Sequence, residues 1–378
     1  MRGLVMVIMV LDHVRSLFHA DAITQNPSDL GTTTYPVFFT RWITHLCAPA
    51  FVFLAGTSAF LTGLKLGDSA KLKSYLFARG AMLVVLEFTV VNFAIWFDVD
   101  FSTILFEVIA AIGFSFIVLA FLIDVKPNTI LISGVAIIVM HQLVTFIPMD
   151  GFPIARQVLG LLFQPGAIPL GEGRIFVIGY PLVPWLGILL VGYGSANIFL
   201  KPDHHSRILK TGVLCLLLFI GLRIINVYGD PALWSPQKSI GFTILSFINV
   251  SKYPPSLLFC LLTLGIIFVL TGLSKSIPQR LTMPLQHFGR VPLFFFIVHL
   301  YIIHVLLIAW MFLQGYRWTD LNFGPLGFGR PSTGEGGVSL SWVYAIWALI
   351  VLILYPMCRS YYSFRKEKKQ VIEPVPRH

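Results

Sequence analysis

The chain has 378 residues, of which 56% are hydrophobic and only 12% are charged, and its mean hydropathy is +0.82. This balance excludes a soluble globular domain, which needs far more polar surface. The apolar residues come in blocks of about twenty, the length that a helix needs to cross a ~30 Å hydrocarbon core. The alternating segments of a membrane β-barrel are absent. We therefore predict an all-α fold, a polytopic membrane helical bundle.

The formal net charge is +10, but its distribution argues against a nucleic-acid partner. Lysine and arginine are concentrated in short loops and in the C-terminal tail, as the positive-inside rule requires of a membrane protein. Four cysteines are scattered singly among apolar residues, without CxxC or Cys/His spacing. The sequence therefore predicts neither a metal site nor a disulfide framework.

Hydropathy predicts ten transmembrane helices, and the loops after the even-numbered helices carry most of the basic residues. This asymmetry predicts an N-in and C-in topology, with a transmembrane domain at 1–362 and a basic cytoplasmic tail at 363–378. The outer loops, including 149–174, are rich in Gly, Pro and aromatic residues, and we expect ordered caps there. The predicted helices span 2–18, 40–64, 75–97, 103–123, 128–148, 175–200, 208–228, 255–273, 286–312 and 339–361.

The first helix has some features of a secretory signal peptide, namely Arg2, an apolar run and a stretch of small residues. However, Asp12, His13 and Arg15 directly follow the apolar run, which is an unusual place for charge in such a peptide. We expect this helix to be retained as the first transmembrane span.

Ionisable and amide side chains recur at similar depth on several predicted helices, between the midplane and the outer surface. Such groups are costly within a bilayer and commonly mark functional sites. Any one of them could instead join two helices by a hydrogen bond. The belt as a whole predicts a polar chamber that opens outward. Its members are Asp12, His13, His45, Glu87, Asn92, Glu107, His141, Arg223, Asn226, His299 and His304.

Arg2 and His13 have the most informative spacing. Eleven residues at about 1.5 Å each place His13 ~16 Å from Arg2, and eleven steps of ~100° return to nearly the same helix face. This suits a long donor such as coenzyme A, whose phosphates a guanidinium can hold while an imidazole deprotonates the acceptor. Adjacent helix residues do not face each other, so Asp12 either assists His13 or serves a neighbouring helix.

These residues lie in segments that resemble the heparan-alpha-glucosaminide N-acetyltransferase catalytic-domain family, in particular its bacterial members. The family belongs to a wider superfamily of membrane acyltransferases, whose first helix carries an Arg, ten residues and then a catalytic His. Arg2 and His13 match that pattern. The resembling segments are MRGLVMVIMVLDHVR (1–15), RWITHLCAPAFVFLAGTSAFL (41–61), RGAMLVVLEFTVVNF (79–93), YPLVPWLGILLVGYG (180–194), NVSKYPPSLLF (249–259) and FGRVPLFFFIVHLYIIH (288–304).

The resemblance implies a membrane acyltransferase that takes an acetyl or similar acyl group from cytoplasmic acyl-CoA, with acetyl-CoA as co-substrate. Its acceptor would be an extracytoplasmic or lipid-linked sugar or glycan. The implied location is the lipid bilayer of a bacterial inner membrane, and both a monomer and a homodimer stay open. His13 would be general base or acyl carrier, oriented by Asp12, His45 or Glu87, while Arg2 and Arg290 would hold coenzyme A.

Two other functions would also place this chain in a membrane. A secondary transporter would have ionisable residues near the midplane, but transporters commonly show inverted repeats and paired broken helices, and neither is evident. A non-catalytic envelope scaffold leaves the polar belt without a role. Arg290 can also be explained as a positive-inside anchor. Binding of acyl-CoA discriminates the enzyme from the transporter.

Overall fold

A computed structural model describes residues 1–146 and 153–372 of the chain. The described residues form fifteen α-helices and three short β-strands. The helices are α1 Arg2–Phe18, α2 Tyr35–Thr44, α3 Cys47–Leu66, α4 Ser69–Leu86, α5 Asn92–Trp96, α6 Val108–Leu122, α7 Pro127–Met140, α8 Pro153–Phe163, α9 Leu182–Gly194, α10 His204–Ile225, α11 Ile240–Ile248, α12 Leu257–Leu273, α13 Gln279–Gly289, α14 Pro292–Leu313 and α15 Leu340–Ile372. The strands are β1 Thr103–Phe106, β2 Gly166–Gly171 and β3 Arg174–Ile178.

Eight helical segments in the described part of the chain are long and apolar enough to cross a membrane. Two further segments that the sequence predicts as spans form shorter helices: α6 has 15 residues, and α1 has 17 with Asp12 and Arg15 inside it. The prediction of an all-α polytopic membrane bundle is therefore confirmed. The chain is an integral multi-pass membrane protein.

Two of the predicted helices are wrong at their N-terminal ends, because both begin with strands. Residues 103–106 form β1, and residues 174–178 form β3, which pairs with β1 in parallel and with β2 as an antiparallel hairpin. Both segments are rich in β-branched and aromatic residues, which favour strands. The helices themselves start only at Val108 and Leu182.

Other predicted spans also differ in continuity or at one end. The span 286–312 is divided at Arg290 and Val291, and Pro292 lies in the first turn of α14, where its missing amide hydrogen costs no helical hydrogen bond. The span 40–64 is divided at His45 and begins earlier, at Tyr35. The span 128–148 ends as an α-helix at Met140, and its last two residues lie outside the described part.

The chain is divided into two units, each with its own internal packing. The first comprises Met1–Cys47, Ser276–Phe323 and the described residues from Gly327 onward, and the second comprises Ala48–Lys275 with Gly324–Leu326. The boundary falls at the start of α3. The predicted tail is partly helical, because α15 continues to Ile372, and its last residues lie outside the described part.

The first unit is built around α1, which packs against α2, α13, α14 and α15. The closest approach is at Gly3, where an added Cβ would lie 1.8 Å from the carbonyl oxygen of Leu285. Only glycine permits the backbones of α1 and α13 to meet in this way. Trp347 of α15 also donates its indole N–H to the carbonyl of Val7, at 2.8 Å. These contacts fix α1 along its length.

The second unit contains three closely packed helix pairs, α4 with α6, α7 with α9, and α10 with α12. The three-stranded sheet, in the order β1, β3, β2, also belongs to this unit. The loops for which the sequence predicts ordered caps contain α8, α11 and the β2–β3 hairpin. Where the structure describes these loops, they therefore contain some regular secondary structure.

Candidate active site

The packing of α1 against α14 brings two histidines into contact. The rings of His13 and His299 lie edge to face, with centroids 5.1 Å apart and an interplanar angle of 65°. His299 is on α14, in the same unit as α1. His13 is partly exposed, whereas the side chain of His299 is fully buried. The sequence places His299 in the polar belt but does not distinguish it as a site residue.

A hydrogen bond defines the tautomer of His299. Its Nδ1 lies 3.0 Å from the carbonyl oxygen of Phe295, one turn earlier on α14. Because a carbonyl can only accept, Nδ1 must carry the hydrogen, and Nε2 then carries a lone pair when the ring is neutral. Nε2 is buried without a hydrogen-bond partner among the described residues. The pair thus combines an accessible imidazole with a fixed, buried one.

Asp12 serves a neighbouring helix, one of the two roles that the sequence leaves open. Its Oδ2 accepts a hydrogen bond from Nη1 of Arg41 on α2 at 2.5 Å, and its Oδ1 accepts one from Nη2 of Arg15 at 3.1 Å. The Asp12 and Arg41 side chains are 17% and 16% exposed. An ion pair as buried as this one interacts more strongly than a surface pair, because water screens it less. It links α2 to the turn of α1 that carries His13.

Arg41 and Arg15 are residues of this site that the sequence does not identify. The sequence places Arg41 only at the edge of a helix, and Arg15 serves only as an argument against a signal peptide. Their spacing to Asp12 carries a partial signal, because Asp12 and Arg15 are three residues apart on one helix. The pairing with Arg41 depends on how α2 packs, which no local pattern reveals.

His45 and His304 are both buried in the first unit. His45 follows the last residue of α2, at the junction with α3, and His304 lies on α14, five residues after His299. The adjacent Thr44 hydroxyl donates to the carbonyl of Arg41 at 2.7 Å. His45 thus directly follows the turn of α2 that carries Arg41, the partner of Asp12. The orienting role of His45 stays a prediction.

The two arginines predicted to hold the acyl donor come from adjoining chain segments. An added Cβ at Gly289 would lie 3.2 Å from the amide nitrogen of Gly3 and 3.6 Å from the Cβ of Arg2. Arg290 directly follows Gly289, and its guanidinium carbon lies 4.9 Å from the ring centroid of Tyr362 on α15. At the end of α1 opposite His19, Arg2 thus lies beside the segment that carries Arg290 and its aromatic partner Tyr362.

Glu87 lies in the second unit, where its carboxylate supports a helix. Its Oε2 accepts a hydrogen bond from the amide of Ala110, in the first turn of α6, at 2.8 Å. A carboxylate is favourable there because the first amides of a helix have no partner within the helix. Glu87 also begins a short π-helical segment, Glu87–Val91, that joins α4 to α5. These contacts give Oε2 a structural partner, whereas Oε1 is buried without a hydrogen-bond partner among the described residues. The catalytic role of Glu87 stays a prediction.

Three other members of the polar belt have structural partners. The guanidinium of Arg223 donates to the carbonyls of Phe247, Ala232, Ser246 and Asn249. Asn92 pairs with the backbone of β1 at Thr103 and Leu105, and Asn226 pairs with the backbone of Trp234. For these three side chains the structure supports the alternative that each one forms structural hydrogen bonds with neighbouring segments.

The C-terminal end of α1 is closed by the loop that precedes α15. His19 and Val338 form a parallel bridge, and Nη1 of the buried Arg330 donates to the carbonyl of His19 at 2.9 Å. Burial is the main cause that lowers the pKa of His19 below its ordinary value, and Asp21 opposes the shift. The positive charges of Arg15 and Arg330 lower the pKa further.

Among the described residues, no group of three or more His, Cys, Asp or Glu side chains could hold a metal ion. The side chains of the site described above carry imidazole, carboxylate and guanidinium groups. A neutral imidazole can take up and return a proton, and guanidinium groups bind phosphate.

The family model described as heparan-alpha-glucosaminide N-acetyltransferase, catalytic, matches residues 1–229. This is more than half of the chain, and the chain belongs to this family. No curated protein matches the chain. The match includes α1 with Arg2 and His13, and it ends before α14 with His299. Membership indicates a membrane transferase of the acetyltransferase type.

Proposed function

We propose that this family member transfers an acetyl or similar acyl group from cytoplasmic acyl-CoA to an extracytoplasmic or lipid-linked sugar. The observation that carries the proposal is the contact of His13 with His299. His13 lies on α1, the helix that begins with Arg2. A partly exposed imidazole beside a buried, hydrogen-bonded one is suited to proton transfer.

In the proposed reaction, an acceptor amine or hydroxyl attacks the thioester carbonyl of acyl-CoA while His13 removes its proton. A bond forms between the acceptor and the acyl carbon, and the bond between carbon and sulfur breaks. The protonated His13 then returns the proton to the departing thiolate. His299 acts as a positioning residue that holds the His13 ring by edge contact. The Asp12–Arg41 pair fixes the same turn of α1 from the side of α2.

The donor would bind at the end of α1 where Arg2 and Arg290 adjoin. Guanidinium groups bind phosphate oxygens in pairs, and the Tyr362 ring adds an aromatic surface beside Arg290. The continuous helix between Arg2 and His13 spans about 16 Å. An extended donor anchored by its phosphates at Arg2 would therefore present its thioester near His13.

An alternative course is a covalent one, in which His13 itself attacks the thioester and carries the acyl group before the acceptor arrives. The two courses differ in one measurable product. Direct transfer releases coenzyme A only when acceptor is present, whereas the covalent course releases one equivalent of coenzyme A per enzyme without acceptor.

The test is transfer by the purified full-length protein in liposomes. Labelled acetyl-CoA is added on one side, and a panel of amino sugars and glycans is supplied on the same side or enclosed on the other. We expect acetylated sugar on the side opposite acetyl-CoA, with one coenzyme A released per product. Passage of a sugar or ion without acetyl-CoA consumption would instead support a transporter and overturn the proposal.

A further inference from the structure

The second unit contains an apolar cavity of about 400 Å³ that the proposed chemistry does not use. Its walls come from α3, α7, α9, α10 and α12, all of which are membrane-spanning segments. Nearly all of its surface is aliphatic or aromatic. Representative wall residues are Phe53, Val135, Val191, Thr211, Leu264 and Phe268.

The cavity lies between two helix pairs that are each in backbone contact. In the α7–α9 pair, an added Cβ at Gly134 would lie 2.8 Å from the carbonyl oxygen of Gly187. In the α10–α12 pair, an added Cβ at Gly212 would lie 2.7 Å from the amide nitrogen of Val269. Helices that meet at their backbones cannot approach further to fill a space beside them. The walls are therefore fixed, and the cavity is a constant feature of the unit.

The cavity is open at its side. Val135 is 46% exposed although it lines the cavity, and Thr211 is exposed as well. On the same α10 helix, Leu214 and Leu217 are more than half exposed, as expected for a helix face that contacts lipid tails. Water would find few polar partners between these walls, and ordered water needs two to four of them. The hydrocarbon tails of the surrounding lipids, rather than water, are therefore suited to fill the cavity.

One end of the cavity adjoins a group of basic residues. Ser195 and Ile198 line the cavity just before Lys201, and Thr211 lines it directly after Lys210. Lys201 and Lys210 are both exposed. Lys201 lies in the loop before α10, and Lys210 lies in the second turn of α10. The sequence predicts this basic segment to lie at a membrane surface. Exposed lysines at such a surface attract anionic lipid headgroups.

We propose that the cavity binds an acyl chain of an anionic phospholipid, with the headgroup at Lys201 and Lys210. The lateral opening between α7 and α10 admits the chain from the bilayer. The apolar walls hold the chain, and the two lysines select the charge of the headgroup. This site is independent of the catalytic residues of the first unit.

The test uses the full-length protein in nanodiscs that contain phosphatidylcholine with a small fraction of phosphatidylglycerol. The phosphatidylglycerol carries a photoreactive diazirine at the middle of one acyl chain. After illumination, we expect cross-links on peptides of α7, α10 and α12. The Val135→Trp substitution fills the opening, so cross-linking should fall roughly tenfold or more. This is the loss in binding expected when about two methylene groups of the acyl chain are no longer buried.

The matched control is Ile132→Trp, on the same helix, because Ile132 is 67% exposed and does not line the cavity. Its cross-linking should equal that of the unmodified protein. For the headgroup, the double variant Lys201→Ala with Lys210→Ala should remove the preference for phosphatidylglycerol over a phosphatidylcholine probe. The control double variant, Lys65→Ala with Lys71→Ala, removes the same charge from another basic loop and should keep the preference.

Three results would overturn the proposal. One is cross-linking that is spread evenly over all lipid-facing helices. Another is equal loss in Val135→Trp and Ile132→Trp, which would indicate a general defect in folding or insertion. The third is a dimer whose protein cross-links map to α7 and α10 and which Val135→Trp makes monomeric, since a second copy would then cover the opening.

Discussion

The ring of His13 meets the ring of His299 edge to face, at a centroid distance of 5.1 Å. The first residue lies on α1 and the second on α14, so the contact exists only when these two helices pack. His299 is fully buried and bonded to Phe295, while His13 is partly exposed. His13 therefore keeps some exposed surface at this contact, whereas His299 does not.

We predict that His13→Ala abolishes transfer in a protein that folds and still binds coenzyme A. Loss of a positioned general base commonly lowers turnover by roughly a hundred- to ten-thousandfold. His45→Ala should have a smaller effect, because we assign it an orienting role. The measurement is turnover per folded molecule, together with a coenzyme A binding curve for each variant. If His45→Ala is inactive while His13→Ala keeps most of its turnover, the catalytic assignment moves to the α2–α3 junction.

We predict that Arg2→Ala weakens donor binding more than it slows the chemical step. A charge-assisted bidentate contact is worth on the order of 1.5–3 kcal/mol, which corresponds to about ten- to a hundredfold in donor affinity. Arg290→Ala should act in the same direction. Arg280→Ala is the control, since Arg280 is an exposed arginine at the other end of α13. An unchanged Michaelis constant for acetyl-CoA in folded Arg2→Ala would exclude Arg2 from the donor site.

We predict that Asp12→Ala destabilises the fold, because it leaves Arg15 and Arg41 largely buried without their shared carboxylate. Removal of one partner of a buried ion pair costs roughly 3–5 kcal/mol, and partial exposure here favours the lower end of that range. The double variant Asp12→Ala with Arg41→Met should recover part of the loss, as coupled residues do. Thermal unfolding in detergent measures both effects. Additive losses in the double variant would show that the pair is not coupled.

We predict that Glu87→Gln keeps most of the activity and stability. The amide oxygen of glutamine can still accept the hydrogen bond from Ala110, whereas Glu87→Leu removes it. Leaving a buried amide without a partner costs about 1–3 kcal/mol, so Glu87→Leu should unfold at a lower temperature. If Glu87→Gln is as stable as the unmodified protein but has lost turnover a hundredfold, Glu87 belongs to the catalytic set.

We predict that protonation of His19 destabilises the closure of α1 by the loop before α15. Because burial lowers the pKa of His19 in the folded protein, the unfolded chain binds more protons in the window below about pH 6.5. Stability from this residue is therefore present above about pH 6.5 and is lost as the pH falls through that window. His19→Gln should reduce the difference in unfolding temperature between about pH 7.5 and about pH 5. An unchanged difference would assign the pH dependence to other groups.

The sequence predicts a membrane span well where the helix is long and uniformly apolar, as in α12. Hydropathy reports how strongly a segment prefers the hydrocarbon core, so it locates a span but does not show the backbone conformation at the end of the span. It therefore assigns Thr103–Phe106 and Arg174–Ile178 to helices, although the two segments pair with each other as strands. Their pairing is a contact between segments about seventy residues apart, which no local window contains.

The site could be predicted in part for a related reason. Arg2 and His13 lie on one helix, so helical geometry alone relates them. Asp12 and Arg41, like His13 and His299, are related only by packing between helices, and their polar character is visible in the sequence while their pairing is not. For Glu87 the sequence does not show the hydrogen bond to Ala110, because a carboxylate that supports a helix start and a catalytic one give the same sequence signal.

The fixation of α1 at both ends has a consequence for the reaction. At one end Gly3 holds the helix against α13, and at the other the His19–Val338 bridge and Arg330 hold it to the loop before α15. Because α1 is held at both ends, it cannot shift along its axis or rotate when substrates bind. In the proposed reaction, the eleven-residue interval between Arg2 and His13 would then set the length of the donor that fits. A single inserted residue would turn the imidazole by about 100° and offset it by about 1.5 Å, so the interval tolerates substitution far better than a change in length.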